Sequence, residues 1–126
     1  FGLSYTQFVY SDLSFSATSI KPDGSTKVSF KLTNTGKMAG EEVVQLYIRD
    51  VLATVSRPVL ELKGFQRIYL EPGTSANVQF ELNPAMLSML NKDLETVVEP
   101  GEFSIMVGGS SRDIRLKEKI RVIPAD

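Results

Sequence analysis

Apolar residues recur at every second position along most of this chain. That period leaves the β-strand as the regular structure able to bury them on one side. Val28, Phe30 and Leu32 alternate with Ser29, Lys31 and Thr33. Val44, Leu46 and Ile48 alternate with Gln45, Tyr47 and Arg49, and Val78, Phe80 and Leu82 with Asn77, Gln79 and Glu81. Phe103, Ile105 and Val107 repeat the pattern, as do Ile114 with Leu116 and Ile120 with Val122. A helix would scatter these same residues around its circumference.

Turn chemistry separates the runs. Lys21-Pro22-Asp23-Gly24 is a turn, and Gly36 and Gly40 bracket a short loop. Glu71-Pro72-Gly73-Thr74 and Glu99-Pro100-Gly101-Glu102 each place Pro then Gly at the centre of an expected type II turn, where Pro presets φ and Gly supplies φ > 0. Strands are predicted at 12–18, 26–35, 41–50, 60–70, 74–82, 95–99, 102–108 and 113–123. One helical turn interrupts them: Asn83 can cap it, Pro84 suits its first position, and Ala85 to Leu90 follow. The whole is all-β, about seven or eight strands in a sandwich or barrel.

Composition removes several function classes. The 126 residues fit one domain and are 42% hydrophobic, enough for a core without staples. The absence of cysteine excludes disulfides and thiolate chemistry, and the absence of histidine removes the commonest general base and metal ligand. A net charge of −1 with 23% charged residues gives no basic footprint for nucleic acid and no polybasic membrane anchor. The chain starts at Phe1 with no leader pattern and no long apolar run. It is expected to be a segment of a longer polypeptide, without a membrane span.

Five local strings carry a resemblance. They are Phe1-Gly2-Leu3-Ser4-Tyr5-Thr6; Thr33-Asn34-Thr35-Gly36 followed by Ala39-Gly40-Glu41-Glu42-Val43-Val44-Gln45-Leu46-Tyr47; Arg57-Pro58 with Glu61-Leu62-Lys63-Gly64-Phe65; Pro100-Gly101-Glu102-Phe103; and Val107-Gly108-Gly109-Ser110-Ser111. In this order, over nearly the whole chain, they resemble the last domain of family 3 glycoside hydrolases of the β-glucosidase type. The resemblance implies a fibronectin type III-like, immunoglobulin-like β-sandwich behind two catalytic domains. It also implies that the nucleophilic Asp and the acid/base residue lie in those domains, so no catalytic residue is assigned here. A periplasmic or secreted location is implied in the same way. One departure concerns the corner tyrosine common in such sandwiches: the slot after Pro100-Gly101 holds Phe103, which has no hydroxyl to donate.

The residues themselves offer little chemistry. Glycoside hydrolysis needs two carboxyls facing each other about 5–10 Å apart. Glu41 and Glu42 are adjacent on a strand and point to opposite faces; Asp93 and Glu95 read as solvated turn charges. Tyr5, Tyr10, Tyr47 and Tyr69 could stack on sugars, but there is no tryptophan, and Tyr47 and Tyr69 read as cross-strand packing partners. Gly108-Gly109 follows a strand without opening a helix, so it is no phosphate loop. No cofactor and no metal is expected.

Residues 1–10 are read as a linker arriving from the upstream catalytic domains and 11–126 as the fibronectin type III-like domain. The stretch from Asp50 to Gly64 is too long and too apolar for a solvated hairpin loop. Val51, Leu52, Val55, Arg57, Pro58, Val59 and Leu60, together with Tyr5, are the expected contact with the catalytic domains of the same polypeptide. An autonomous carbohydrate-binding or protein-interaction module is the alternative, because fold does not decide function.

Overall fold

A computed structural model describes residues 7–50, 61–90, 96–98 and 100–124. In chain order the elements are β1 (Phe8–Phe15), β2 (Ser19–Ile20), β3 (Thr26–Asn34), β4 (Gly40–Asp50), β5 (Glu61–Leu70), β6 (Ser75–Leu82), α1 (Pro84–Leu87), β7 (Met89–Leu90), β8 (Thr96–Val97), β9 (Gly101–Ser110) and β10 (Asp113–Val122). One sheet has the order β1-β3-β6 and a second the order β2-β10-β9-β4-β5, while β7 and β8 pair by themselves. Neighbours are antiparallel except β2, which runs parallel to β10. The two large sheets form the expected β-sandwich.

The alternating residues fill the space between the sheets. Val28, Phe30 and Leu32 on β3 and Val78, Phe80 and Leu82 on β6 point inward from one side. Val44, Leu46 and Ile48 on β4, Ile105 and Val107 on β9, and Ile120 and Val122 on β10 meet them from the other. Each such side chain contributes about 1.5–3 kcal/mol of apolar burial. Gly64 on β5 is small where the Phe80 ring approaches; a Cβ there would already touch the ring at 3.4 Å. Strand β9, in the middle of its sheet, is buried on both faces from Phe103 to Gly108.

Strand β1 differs from its sequence reading, for a physical reason. It begins at Phe8, inside the stretch expected to be linker, and Phe8 and Tyr10 are core residues. Its pairing with β3 shifts by one residue between Ser11 and Ser14, and Asp12 in that bulge has φ 58°. The bulge reverses the phase of alternation. Even-numbered Phe8 and Tyr10 face inward before it; odd-numbered Leu13 and Phe15 pack against the core after it. The broken phase hides the first half of the strand from a period-two search.

Turns and caps follow the local chemistry, with one exception. Gly24 donates its N–H to the Lys21 carbonyl at 2.8 Å, and Thr74 donates to Glu71 at 3.2 Å with Gly73 at φ 77°, as a type II turn requires. Gly101 stands at φ 143°, far from the +80° of that turn type, and opens β9 instead. Asn83 caps α1 by accepting the Met86 N–H at 3.0 Å, with Pro84 in the first turn. The helix stops at Leu87, so Met89 and Leu90, read as its tail, form β7. This turn carries the chain from β6 in one sheet towards β9 in the other, as expected of it.

Candidate functional site

The residues expected to contact a neighbouring domain, Val51, Leu52, Val55, Arg57, Pro58, Val59, Leu60 and Tyr5, all lie outside the described residues. The described strands fix only where that segment is tethered. Ile48 on β4 pairs with Glu61 on β5, so the chain leaves and re-enters at one end of the five-stranded sheet.

The polar side chains that do converge lie beside β1. An open cleft of about 420 Å³ is lined by Gln7, Phe8, Glu42, Ser110, Asp113 and Arg115, among others. The Tyr10 hydroxyl donates to Glu42 Oε2 at 2.7 Å, joining β1 to β4 across the two sheets. Arg115 on β10 donates from Nε to Asp113 Oδ1 at 2.7 Å and from Nη1 to the Phe8 carbonyl at 2.9 Å. Its guanidinium also lies over the Tyr10 ring, 5.3 Å from the centroid, and that ring stacks on Phe30 at 5.4 Å and 12°. Burial, reinforced by Glu42, holds the Tyr10 phenol well above its ordinary pKa, so the hydroxyl stays a donor. The Asp113 hydrogen bond raises the Arg115 pKa.

This is the chemistry of a brace between sheets. Glu42 receives Tyr10 and Asp113 receives Arg115, so each carboxylate has a partner. Glu41, as its position on the strand requires, faces the other way and sits 3.8 Å from Arg67 across the β4–β5 pair. Among the described residues no group of three or more acidic side chains is placed to hold a metal ion.

A second polar centre escaped the sequence reading. Asn34 ends β3 fully buried. Its side-chain amide donates to the Met38 carbonyl at 2.9 Å and the Leu70 carbonyl at 3.0 Å, and Oδ1 accepts the Gly36 N–H at 2.9 Å. Its main chain bonds Thr74 and Gly73 in the turn before β6. The signal was available: Val28, Phe30, Leu32 and then Asn34 occupy the inward positions of one strand, and a polar residue on an inward position must find partners.

The aromatic residues divide unexpectedly. Tyr47 occupies an outward position yet is 8% exposed, with its hydroxyl on Gln45. Tyr69 is 61% exposed and bonds Glu71 at 2.7 Å, so it is not packed away against its neighbour strand as expected. Phe65, two pleats along the same face of β5, is 60% exposed.

Comparison with known proteins puts this architecture in context. Residues 42–111 match the family model described as a fibronectin type III-like domain. A β-xylosidase from Formosa agariphila is 52% identical over 117 residues, covering 93% of this chain and 16% of that protein. Thermostable β-glucosidase B from Acetivibrio thermocellus is 48% identical over 122 residues, covering 96% of this chain and again 16% of the relative. Among solved structures, a β-glucosidase from Erythrobacter marinus superposes with a TM-score of 0.88 at 42% identity, over 98% of this chain and 16% of that one. The chain thus spans about one-sixth of the length of the relatives it matches. With the sandwich, the strand order and the family match in agreement, the chain belongs to the fibronectin type III-like domain family.

Proposed function

We propose that this chain is a non-catalytic accessory domain of a family 3 glycoside hydrolase of the β-glucosidase type, an enzyme acting on terminal β-linked sugars. Its work is to pack against the catalytic domains of the same polypeptide and stabilise them. The observation that carries this reading is the match of more than nine-tenths of the chain to one-sixth of proteins named as glycosidases. The brace of Tyr10, Glu42, Asp113 and Arg115 supports it, since the Tyr10–Glu42 bond and the Arg115 bond to the Phe8 carbonyl join the two sheets and Asp113 holds Arg115 in place. The segment between β4 and β5, with Arg57 and Pro58 at its centre, and Tyr5 upstream belong to that packing contact in the same reading; Glu61 to Gly64, expected in the segment, are instead part of β5, with Gly64 turned towards the Phe80 ring. A periplasmic or secreted location belongs to the same reading.

The test is nitrophenol release from aryl β-glucosides and β-xylosides. The full-length polypeptide turns over at least one of them and the 126-residue chain none. Turnover by the short chain, abolished by Glu42→Gln or Asp113→Asn, would overturn the assignment. Exposed Phe65 and Tyr69 favour a second reading, a carbohydrate-binding module. Calorimetry with soluble β-linked oligosaccharides decides between the two, because an accessory packing domain gives no heat of binding.

A further inference from the structure

The two outer faces of the sandwich differ in chemistry. On the three-stranded sheet the outward positions include Lys27, Ser29 and Lys31 on β3 and Asn77, Gln79 and Glu81 on β6, a mostly polar face on which Val9 of β1 is a single exposed apolar side chain among the described residues. The β4–β5 half of the other sheet is different. Leu62, Phe65 and Tyr69 lie on one face of β5, opposite Tyr47, Gln45 and Glu41, and are 51%, 60% and 61% exposed. Strand β5 is also the edge of its sheet. An apolar face on an edge strand invites a partner.

The size of the patch says which kind of partner. A fully buried aromatic side chain covers about 150–250 Å², so the exposed parts of these three residues offer on the order of 300–400 Å². A stable complex between freely diffusing proteins needs about 800 Å² from each side. Just over half of such an area is apolar, roughly 450 Å², so these three residues fall short of holding a second copy or a separate protein by themselves. They suffice for a partner on the same chain, because a tether raises the effective concentration to roughly millimolar. The relatives supply such a partner: about five-sixths of their length lies outside the region this chain matches.

We propose that the outer face of β5, centred on Phe65 and Tyr69, is a further surface by which this domain docks against the catalytic part of its own polypeptide. The inference rests on the accessory-domain reading above and names a surface it uses. Arg67 lies between the two rings on the same face, with its side chain 68% exposed and 3.8 Å from Glu41, so a thiol placed there reports on the middle of the patch.

The test uses the full-length polypeptide carrying Arg67→Cys, which leaves the apolar side chains in place, with Asn77→Cys on the polar face as the reference. Each is labelled with a maleimide and read by peptide mass spectrometry, which separates the introduced thiol from any others. The thiol at 67 is expected to react at least about tenfold more slowly than that at 77, the ratio of docked to undocked molecules. Protection should be the same at every protein concentration. Adding Phe65→Ser and Tyr69→Ser should restore the faster rate. Equal rates at 67 and 77 overturn the proposal. So does protection lost on dilution, which assigns the face to a second copy, or protection seen only with added oligosaccharide, which makes it a sugar platform. The glycosidase reading is judged separately on the same protein: an inactive polypeptide with a protected thiol at 67 sinks that reading and leaves docking within the chain standing.

Discussion

Replacing Asn34 tests whether one buried amide holds together the end of the sandwich where β3, β5 and the turn before β6 meet. Asn34→Ala removes three hydrogen bonds, to Met38, Leu70 and Gly36. At a net worth of about 1 kcal/mol each the loss is ~3 kcal/mol. The three are unequal. The bond to the Leu70 carbonyl is buried, so that carbonyl keeps its full desolvation penalty, whereas those to Met38 and Gly36 lie nearer water and recover part of theirs. Asn34→Asp keeps the acceptor for Gly36 but turns a carboxylate towards two carbonyls, so it costs at least as much at neutral pH. Its acid is held protonated more strongly in the folded state than in the unfolded one. The extra cost is therefore present at neutral pH and fades as pH falls through the raised folded value towards the unfolded value of about 3.9. The assay is urea unfolding of the 126-residue chain followed by far-UV circular dichroism, since the sequence has no tryptophan to report by fluorescence. Asn77→Ala, on the exposed face of β6, is the control and should stay within about 0.5 kcal/mol of the parent. An Asn34→Ala variant as stable as that control would refute the reasoning, because water would then be replacing every lost partner.

Other expectations follow from the same geometry. The Tyr10 phenol titrates above its ordinary value of 10.0 when folded, so its contribution is whole below pH 10 and is lost as pH rises further. Tyr10→Phe should cost about 1.5 kcal/mol at pH 8, and its gap from the parent in urea titrations should shrink by up to about 1.4 kcal/mol per pH unit above 10. A gap that widens there would contradict the assignment. Gly108→Ala would place a Cβ 2.0 Å from the Asp113 carbonyl oxygen and should destabilise by roughly 2–3 kcal/mol. Gly109→Ala meets only the side-chain tips of Asp113 and Glu42, at 3.1 and 3.4 Å, and should cost less than about 1 kcal/mol; thermal melts of the pair test the contrast. Asp12→Gly, at the left-handed position of the β1 bulge, should be neutral or stabilise by up to about 1 kcal/mol, and a clear loss would mean that the Asp side chain itself is needed.

How far the sequence could be read depended on whether the signal was local. Strands β3 and β6 alternate without interruption, and their limits were legible to within a residue or two. Strand β1 was half hidden, because the bulge at Asp12 reverses its phase and the inward Phe8 and Tyr10 then read as a lead-in. Strand β2 is two residues long and exists through its parallel pairing with the far end of the chain, a partner no local window contains. The brace shows the same limit. Tyr10, Glu42 and Arg115 come from three strands, and only the folded register brings them together. Adjacent Glu41 and Glu42 were read correctly as facing opposite ways, but what each would meet was not written in the residues beside it. Tyr69 was assigned a packed role from strand statistics; its exposure follows from its place on an edge strand, which is a property of the topology.

The short parallel contact between β2 and β10 has a mechanical side. Arg121 and Ile123 donate to the carbonyls of Thr18 and Ile20, each at 2.8 Å, so the last strand is fastened alongside the chain just after β1. Tension drawing the two ends of the domain apart slides these parallel segments along one another. Bonds strained in that direction share the load and yield together, whereas a hairpin opened from its tip gives way one bond at a time. The clasp at Ser19–Ile20 would therefore resist a pull along the polypeptide in shear, while the pairing of β1 with β3, nearer the N-terminal side, takes up load as well.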